Sequence, residues 1–350
     1  MVIMPSREPR PLDASRHCGL ASRRASRKAA AMHDGNARSP LAPIFLAGPT
    51  AVGKSAVALA LAESLGGELI SVDSMQVYRG LDLGTAKPST AERARVPHHL
   101  LDVVELSEAF DAAQFLRRAE AAVKDIQGRG HVPIFCGGTG LYFKAWLEGL
   151  GEAPPSDARV RAELEATPLA DLIIELEQRD PLTYERIDRQ NPRRVIRAVE
   201  VIRLTGKPFS AQRANWNPEV RSQKSEVIFC FSREPADLRA RIDARVDLMF
   251  AAGLVEETRG LLAHGLAGHR HAMQALGYRQ VAAHLTGECG LGETVALVKT
   301  KTWQFARRQG TWFRSQLPVE RVPLAVDADA NAVAAEVRRR ILSSANKSAF

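Results

Sequence analysis

The apolar run Ile44–Ala47 (IFLA) passes directly into Gly48-Pro49-Thr50-Ala51-Val52-Gly53-Lys54-Ser55, and from there into AVALALAESL. This order constrains the fold more than any other part of the chain. A short, continuously apolar segment fits a strand buried on both faces of a parallel sheet, and residues 56–65 read as a helix stopped by Gly66-Gly67. Gly48 and Gly53 permit the tight backbone that turns successive amides inward, while the helix N-terminus adds partial positive charge. Lys54 is then placed to reach a terminal phosphate and the Ser55 hydroxyl to ligand Mg2+, the cofactor this pattern calls for. Together these features predict an α/β protein with a P-loop parallel-sheet core of the nucleoside-triphosphate-hydrolase or kinase type.

Further strands point to the same crevice. ELISVD, residues 68–73, is an apolar run that ends on Asp73, and a candidate strand over 132–136 opens into Gly137-Gly138-Thr139-Gly140. Parallel α/β sheets place ligands at the carboxyl ends of their strands, so Asp73 and the Thr139 hydroxyl should face what the loop holds. The adjoining strand ends in glycines, where a hydrolytic NTPase usually carries an acid. LLDVVE, residues 100–105, supplies Asp102 only from within what reads as a strand. The loop therefore suits a diphosphate leaving group, and Asp73 a base acting on an acceptor.

Around this core, residues 151–217 are charged and helical in pattern with no clear strand, and VIFCF at 227–231 returns to the sheet. The expected organisation is a core over 43–150 and 218–326, a helical insertion over 151–217 and a C-terminal helix and tail over 327–350. A short helix through Val337 to Leu342 is expected to pack on the core. His98-His99 diverge on a strand or a helix and read as structural.

The net charge of +8 suggests nucleic acid, but five of those charges belong to residues 1–40, where eight Arg and Lys face three acids. That basic leader, taken as 1–42, has no apolar periodicity and reads as disordered. It fits a dispensable tail, a start placed upstream of a true one at Met32, or a targeting segment. Local patches matter more. Asn191-Pro192-Arg193-Arg194-Val195-Ile196-Arg197 opens a helix in which Val195, Val199 and Ile202 make an apolar stripe and Arg193 and Arg197 share another face. Residues 294–319 contain no acid, and Lys299, Lys301, Arg307, Arg308 and Arg314 alternate with Trp303, Phe305, Trp312 and Phe313. Such interleaving suits phosphate contact and stacking on unpaired bases, with Trp303 and Phe305 expected on the core side. The four cysteines are scattered with no metal-ligand spacing, and no apolar run spans a bilayer, so a cytoplasmic protein with reduced thiols is expected.

DSMQVYRGLDLGTAKP at residues 73–88, GGTGLYFKAWLEGL at 137–150, NPRRVIRAVEV at 191–201, ALGYRQ at 275–280 and RRQGTWFR at 307–314 carry a specific resemblance. In that order, over about residues 43–318, the chain resembles the bacterial tRNA dimethylallyltransferases (tRNA isopentenyltransferases, the IPP transferase family). The zinc finger of the family's eukaryotic members is excluded by the cysteine positions.

The resemblance implies transfer of a dimethylallyl group from dimethylallyl diphosphate to N6 of the adenosine immediately 3′ of the anticodon, in a monomeric enzyme. It implies Asp73 as base, Lys54, Thr139 and Arg245 as further catalytic groups, and residues 48–55 with Mg2+ on Ser55 as the diphosphate seat. Arg241, one turn before Arg245, is the alternative for the arginine. RNA would be met by Asp73, Ser74, Met75 and Gln76; by Gln190, Asn191, Pro192, Arg193, Arg194 and Arg197 of the insertion; by Gly277, Tyr278 and Arg279; and by Arg307, Arg308, Gln309, Trp312 and Arg314. Two rivals are a P-loop small-metabolite kinase and a nucleotide-gated RNA-binding protein without transfer chemistry.

Overall fold

The structure, a computed structural model, describes residues 42–212, 227–269 and 271–347. Residues 1–41 of the leader and the end of the insertion at 213–217 lie outside the described residues. Six parallel strands form one sheet: β1 Ile44–Ala47, β2 Gly67–Val72, β3 His98–His99, β4 Val132–Gly137, β5 Ile228–Ser232 and β6 Val319–Pro323, in the order β3-β2-β4-β1-β5-β6. β1 sits inside the sheet with β4 on one side and β5 on the other, and Leu46 is in register with both Cys136 and Phe229. The loop that leaves β1 therefore emerges between two neighbouring strand ends, the switch point at which such sheets bind ligands.

Helices cover both faces of the sheet. α1 Lys54–Leu65, α2 Thr90–Arg95, α3 Ala112–Gly128 and α4 Gly140–Glu148 belong to its first half. α10 Pro235–Ala251, α11 Leu254–Ala263, α12 Tyr278–Leu285, α13 Leu291–Gln316 and α14 Ala330–Lys347 follow β5. Phe45, Ile70, Phe135 and Phe313 lie in one apolar layer; Leu46, Leu61, Ile134 and Phe231 lie in the other. Alternate residues of each strand thus feed opposite layers, as a sheet buried on both faces requires.

The stretch between α4 and β5 holds α5 Ala158–Ala166, α6 Leu169–Arg179, α7 Pro181–Arg186, α8 Pro192–Thr205 and α9 Phe209–Gln212, without a strand among the described residues. It has its own apolar cluster of Leu164, Leu172, Leu176, Val195, Val199 and Ile202. Asn191 caps α8 with Pro192 as its first residue, an arrangement that satisfies one orphan amide and needs none from the proline.

Three expectations change. LLDVVE is not a strand: Leu100 and Asp102 take left-handed backbone at φ 61° and 54°, and only Val104 bridges to Tyr78. Asp102 is instead ion-paired to Lys87 and Arg93 at 2.5 and 2.7 Å. The strand at the edge beside β2 is His98–His99, whose charged-looking sequence gives no strand signal. α14 is longer than the expected 337–342 helix; it buries Ala334 and Val337 but leaves Leu342 exposed.

Candidate active site

The loop keeps its shape through backbone conformation and through partners far away in sequence. Gly53 adopts φ 106° before α1, a region that side chains rarely enter. Ala51 does enter it, at φ 63°. Left-handed backbone costs a non-glycine residue about 1–2 kcal/mol, so something must hold Ala51 there. Arg241 does, donating from Nε to the Ala51 carbonyl at 3.1 Å. On either side of it, Arg233 Nε reaches the Val52 carbonyl at 2.8 Å and Arg245 Nη1 reaches Thr50 Oγ1 at 3.3 Å. Three arginines, one directly after β5 and two on α10, thus touch three consecutive loop residues. Arg233 is in turn fixed by Asp237 at 2.7 Å and by the Ala325 carbonyl at 2.6 Å.

Among the described residues, no acid lies within ion-pair distance of Lys54, Arg241 or Arg245. Lys54 Nζ is held by the Pro49 carbonyl at 3.2 Å. Burial lowers the Lys54 pKa and the nearby Arg245 charge adds to this, while Asp73 opposes it. Burial also lowers the pKa of Arg245, again against Asp73. Positive groups kept charged in a desolvated seat are favourable only when an anion arrives. Ser55 is exposed at the start of α1, with its hydroxyl available.

Asp73 follows β2 at the same edge. Its Oδ1 accepts the amides of Met75 at 2.8 Å and Gln76 at 3.3 Å, which fixes the carboxylate, and no donor among the described residues meets Oδ2. Thr139 directly precedes α4, and its Oγ1 accepts the Ser74 amide at 3.2 Å. The hydroxyl proton of Thr139 is thereby left to donate elsewhere. Gly138 and Gly140 of this second turn have no room for a side chain: an added Cβ would lie 2.3 Å from Gln309 Nε2 at the first and 2.1 Å from the Trp312 ring at the second. α13 is pressed directly against the turn.

The expected RNA residues divide into two groups. Gln190, Pro192, Arg193, Arg194, Arg279, Arg307, Arg308 and Arg314 are exposed. Others are tied up inside the fold. Tyr278 is fully buried, with its hydroxyl donating to Glu257 at 2.5 Å and accepting from the Gly84 amide at 3.1 Å, and Gly277 beside it is buried. Glu257 also accepts the Leu83 amide at 3.0 Å, so the pair clamps the loop at residues 82–84, which sequence reasoning did not find. Arg197 does not share an open face with Arg193. It pairs with the buried Glu200 at 2.7 Å and reaches the Pro154 carbonyl at 2.5 Å, beside Arg161 on the same carboxylate. Gln76 donates to the Thr85 and Ala86 carbonyls and accepts from Ser71, and Met75 packs on the core. Gln309 is buried, and Trp312 is partly buried against Gly140. Trp303 is on the core side as expected, but Phe305 is exposed with the Arg308 guanidinium over its ring. His99 binds Glu68 and His98 binds the Val96 carbonyl, both structural.

A family model described as IPP transferase matches residues 76–316. The chain belongs to the IPP transferase family. It is 47% identical over 277 residues to the tRNA dimethylallyltransferase 1 of Trichlorobacter lovleyi, covering 78% of this chain and 90% of that one. It is 49% identical to the tRNA dimethylallyltransferase of Salinispora arenicola, over 77% of this chain and 79% of the other. Among solved structures it resembles the full-length tRNA isopentenylpyrophosphate transferase of Bacillus halodurans with a TM-score of 0.63, at 34% identity, over 88% of this chain and 99% of that one. A eukaryotic dimethylallyltransferase described as acting on tRNA matches with a TM-score of 0.69 at 25% identity, over 87% of this chain and 80% of that one. Local motifs do not reveal Arg233, and they place Gln309 among the RNA contacts, whereas the structure ties both side chains to the loop. The one available signal was that Arg233 directly follows a strand end.

Proposed function

We propose that this chain transfers the dimethylallyl group of dimethylallyl diphosphate to N6 of the adenosine immediately 3′ of the anticodon in tRNA, releasing diphosphate. The observation that carries this reading is the convergence, at the carboxyl end of the sheet, of a loop whose Lys54 and Arg245 have no ion-pair partner with the Asp73 carboxylate, whose Oδ2 meets no donor among the described residues. In the reaction the bond from the allylic carbon to the diphosphate oxygen breaks, a bond from that carbon to N6 forms, and N6 gives up a proton. Asp73 takes that proton at Oδ2, held in place by two amides on Oδ1. Lys54, Arg245 and the loop amides stabilise the departing diphosphate, and the Thr139 hydroxyl donates to its bridging oxygen.

The Ser55 hydroxyl would hold Mg2+, a sparse protein donor set that suits this ion, and Mg2+ held there would supply positive charge to the leaving group. The exposed Arg193 and Arg194 on the insertion, with Arg279, Arg307, Arg308 and Arg314 on the core, supply phosphate contacts along the anticodon stem and loop. The adenosine must be splayed from that loop to reach Asp73. The reading is of a monomer acting in the cytoplasm. The described residues contain no helix long and apolar enough to cross a membrane. The relatives lend no support to the small-metabolite kinase reading.

The test incubates the protein with unmodified tRNA and either dimethylallyl diphosphate labelled in the hydrocarbon or ATP labelled in the γ-phosphate. Label should enter the RNA from the first and from nothing else. Label reaching a small molecule from ATP, with none in RNA, would overturn the proposal.

A further inference from the structure

Gln309 does something that an RNA-facing residue would not. Its side chain is buried at the inner face of α13, where Oε1 accepts the Thr50 amide at 2.9 Å and Nε2 donates to the Gly138 carbonyl at 2.9 Å. Thr50 belongs to the phosphate loop, and Gly138 directly precedes Thr139. One neutral amide therefore ties together the two turns assigned to opposite ends of the leaving group. Of the neutral side chains, only Asn and Gln offer an acceptor and an NH2 donor at once in a rigid plane, and Gln has the greater reach.

We infer that Gln309 is a positioning residue for the transfer reaction, setting the distance between the loop that seats the diphosphate and the hydroxyl that meets its bridging oxygen. Two electrostatic effects follow from the same contacts. The Gly138 carbonyl would otherwise turn a partial negative charge toward the diphosphate, and the Nε2 hydrogen bond draws it away. The Thr50 amide is satisfied from outside and the Val52 amide by the Pro49 carbonyl at 3.5 Å, which leaves the loop amides at 51 and 53–55 for the anion. Because α13 also carries the exposed Arg307, Arg308 and Arg314, its docking to RNA acts on the same helix that sets this spacing. The inference rests on the reading of residues 48–55 as the diphosphate seat.

The test compares steady-state kinetics of wild type, Gln309→Met, Gln309→Glu and Lys54→Ala, varying dimethylallyl diphosphate and tRNA separately and recording Tm for each. Met fills the same space without hydrogen bonds. Gln309→Met should raise KM for dimethylallyl diphosphate about tenfold, the value of roughly one net hydrogen bond, and leave KM for tRNA within about twofold. Gln309→Glu keeps the acceptor for Thr50 but loses the donor to Gly138 and adds a negative charge, so its KM for the diphosphate should rise further, by about a hundredfold. An unchanged KM for the diphosphate in Gln309→Met, or equal rises in both KM values with a lowered Tm, would overturn the inference. If Gln309→Met does not fold, Gln309→Glu decides by the same two KM values. Lys54→Ala separates the layers: if it leaves KM for the diphosphate unchanged, the seat itself is misassigned. If it raises that KM while both Gln309 variants behave as wild type, only the role of Gln309 fails.

Discussion

The two ends of the sheet treat charge in opposite ways. At the amino end, Glu68 is buried near the start of β2 and is met by Arg129 at 2.8 Å, His99 at 2.7 Å and His131 at 2.6 Å. Burial alone would raise its pKa, but hydrogen bonds from Arg129, His99 and His131 outweigh that and hold it at about 2. At the carboxyl end, Lys54 and Arg245 are partly buried with no carboxylate within ion-pair distance among the described residues, and burial moves both in the unfavourable direction. A buried charge with its partners in place contributes to folding, whereas one without a partner is tolerated only for what it later binds. The contrast therefore separates a region that stabilises the protein from one that acts.

The sharpest way to break this contrast is at the carboxyl end. Asp73→Asn should lower single-turnover transfer by about 10²–10⁴-fold, the range for a general base, while tRNA binding measured by filter retention is kept. Equal losses of binding and rate would remove Asp73 from the base role. Next, Lys54→Met should reduce kcat/KM for dimethylallyl diphosphate by about 10²–10³-fold and yet leave Tm unchanged or raised, since it removes a desolvated cation. Added diphosphate with Mg2+ should raise the Tm of the wild type and not of this variant. A Tm lowered by Lys54→Met would show that the lysine supports the fold.

The amino end should respond in the reverse sense. Glu68→Gln is expected to cost about 1–3 kcal/mol of stability by urea titration at neutral pH and to leave kcat alone. The Glu68 carboxyl has a folded-state pKa of about 2 against an ordinary 4.5, so its contribution is present above about 4.5 and is lost as pH falls toward 2. The stability gap between wild type and Glu68→Gln should close over that window. A gap that is constant with pH would mean the carboxylate's charge is not what matters. The smallest effect is at Ala51, where glycine relieves left-handed strain but loosens the unfolded chain. Ala51→Gly should gain about 0.5–1 kcal/mol, seen as a small rise in Tm. A loss of stability there would mean that Arg241 does not hold a strained residue.

How far the sequence disclosed all this depends on how local each cause is. The run from β1 through the loop to α1 was legible because strand, glycines and helix adjoin one another, and Asp73 and Thr139 followed from the rule that ligands gather at strand ends. Gln309 and Thr50 are 259 positions apart, and Arg233 and Val52 are 181 apart, so no window contains either pair. LLDVVE misled because its β-rich composition was overruled by the ion pairs of Asp102, which bend the chain out of the sheet. β6, with the sequence VERVP, gave no clear signal because its charged residues tolerate an edge position. The arginines posed the opposite difficulty. Arg197 and Arg193 look alike in sequence, and only the buried Glu200 distinguishes a structural arginine from one free to meet RNA.

The three arginines that grip the loop limit how portable it is. All eight loop residues, with β1 and α1, lie within the first quarter of the chain, yet the groups that hold residues 50, 51 and 52 come from beyond residue 230. A fragment ending before β5, or the same octapeptide grafted into another sheet, would carry the whole signature and lack the external hold on its shape. In this protein the phosphate loop is not a cassette that can be lifted out. It works as one part of a frame that closes only when the second half of the chain has folded against the first.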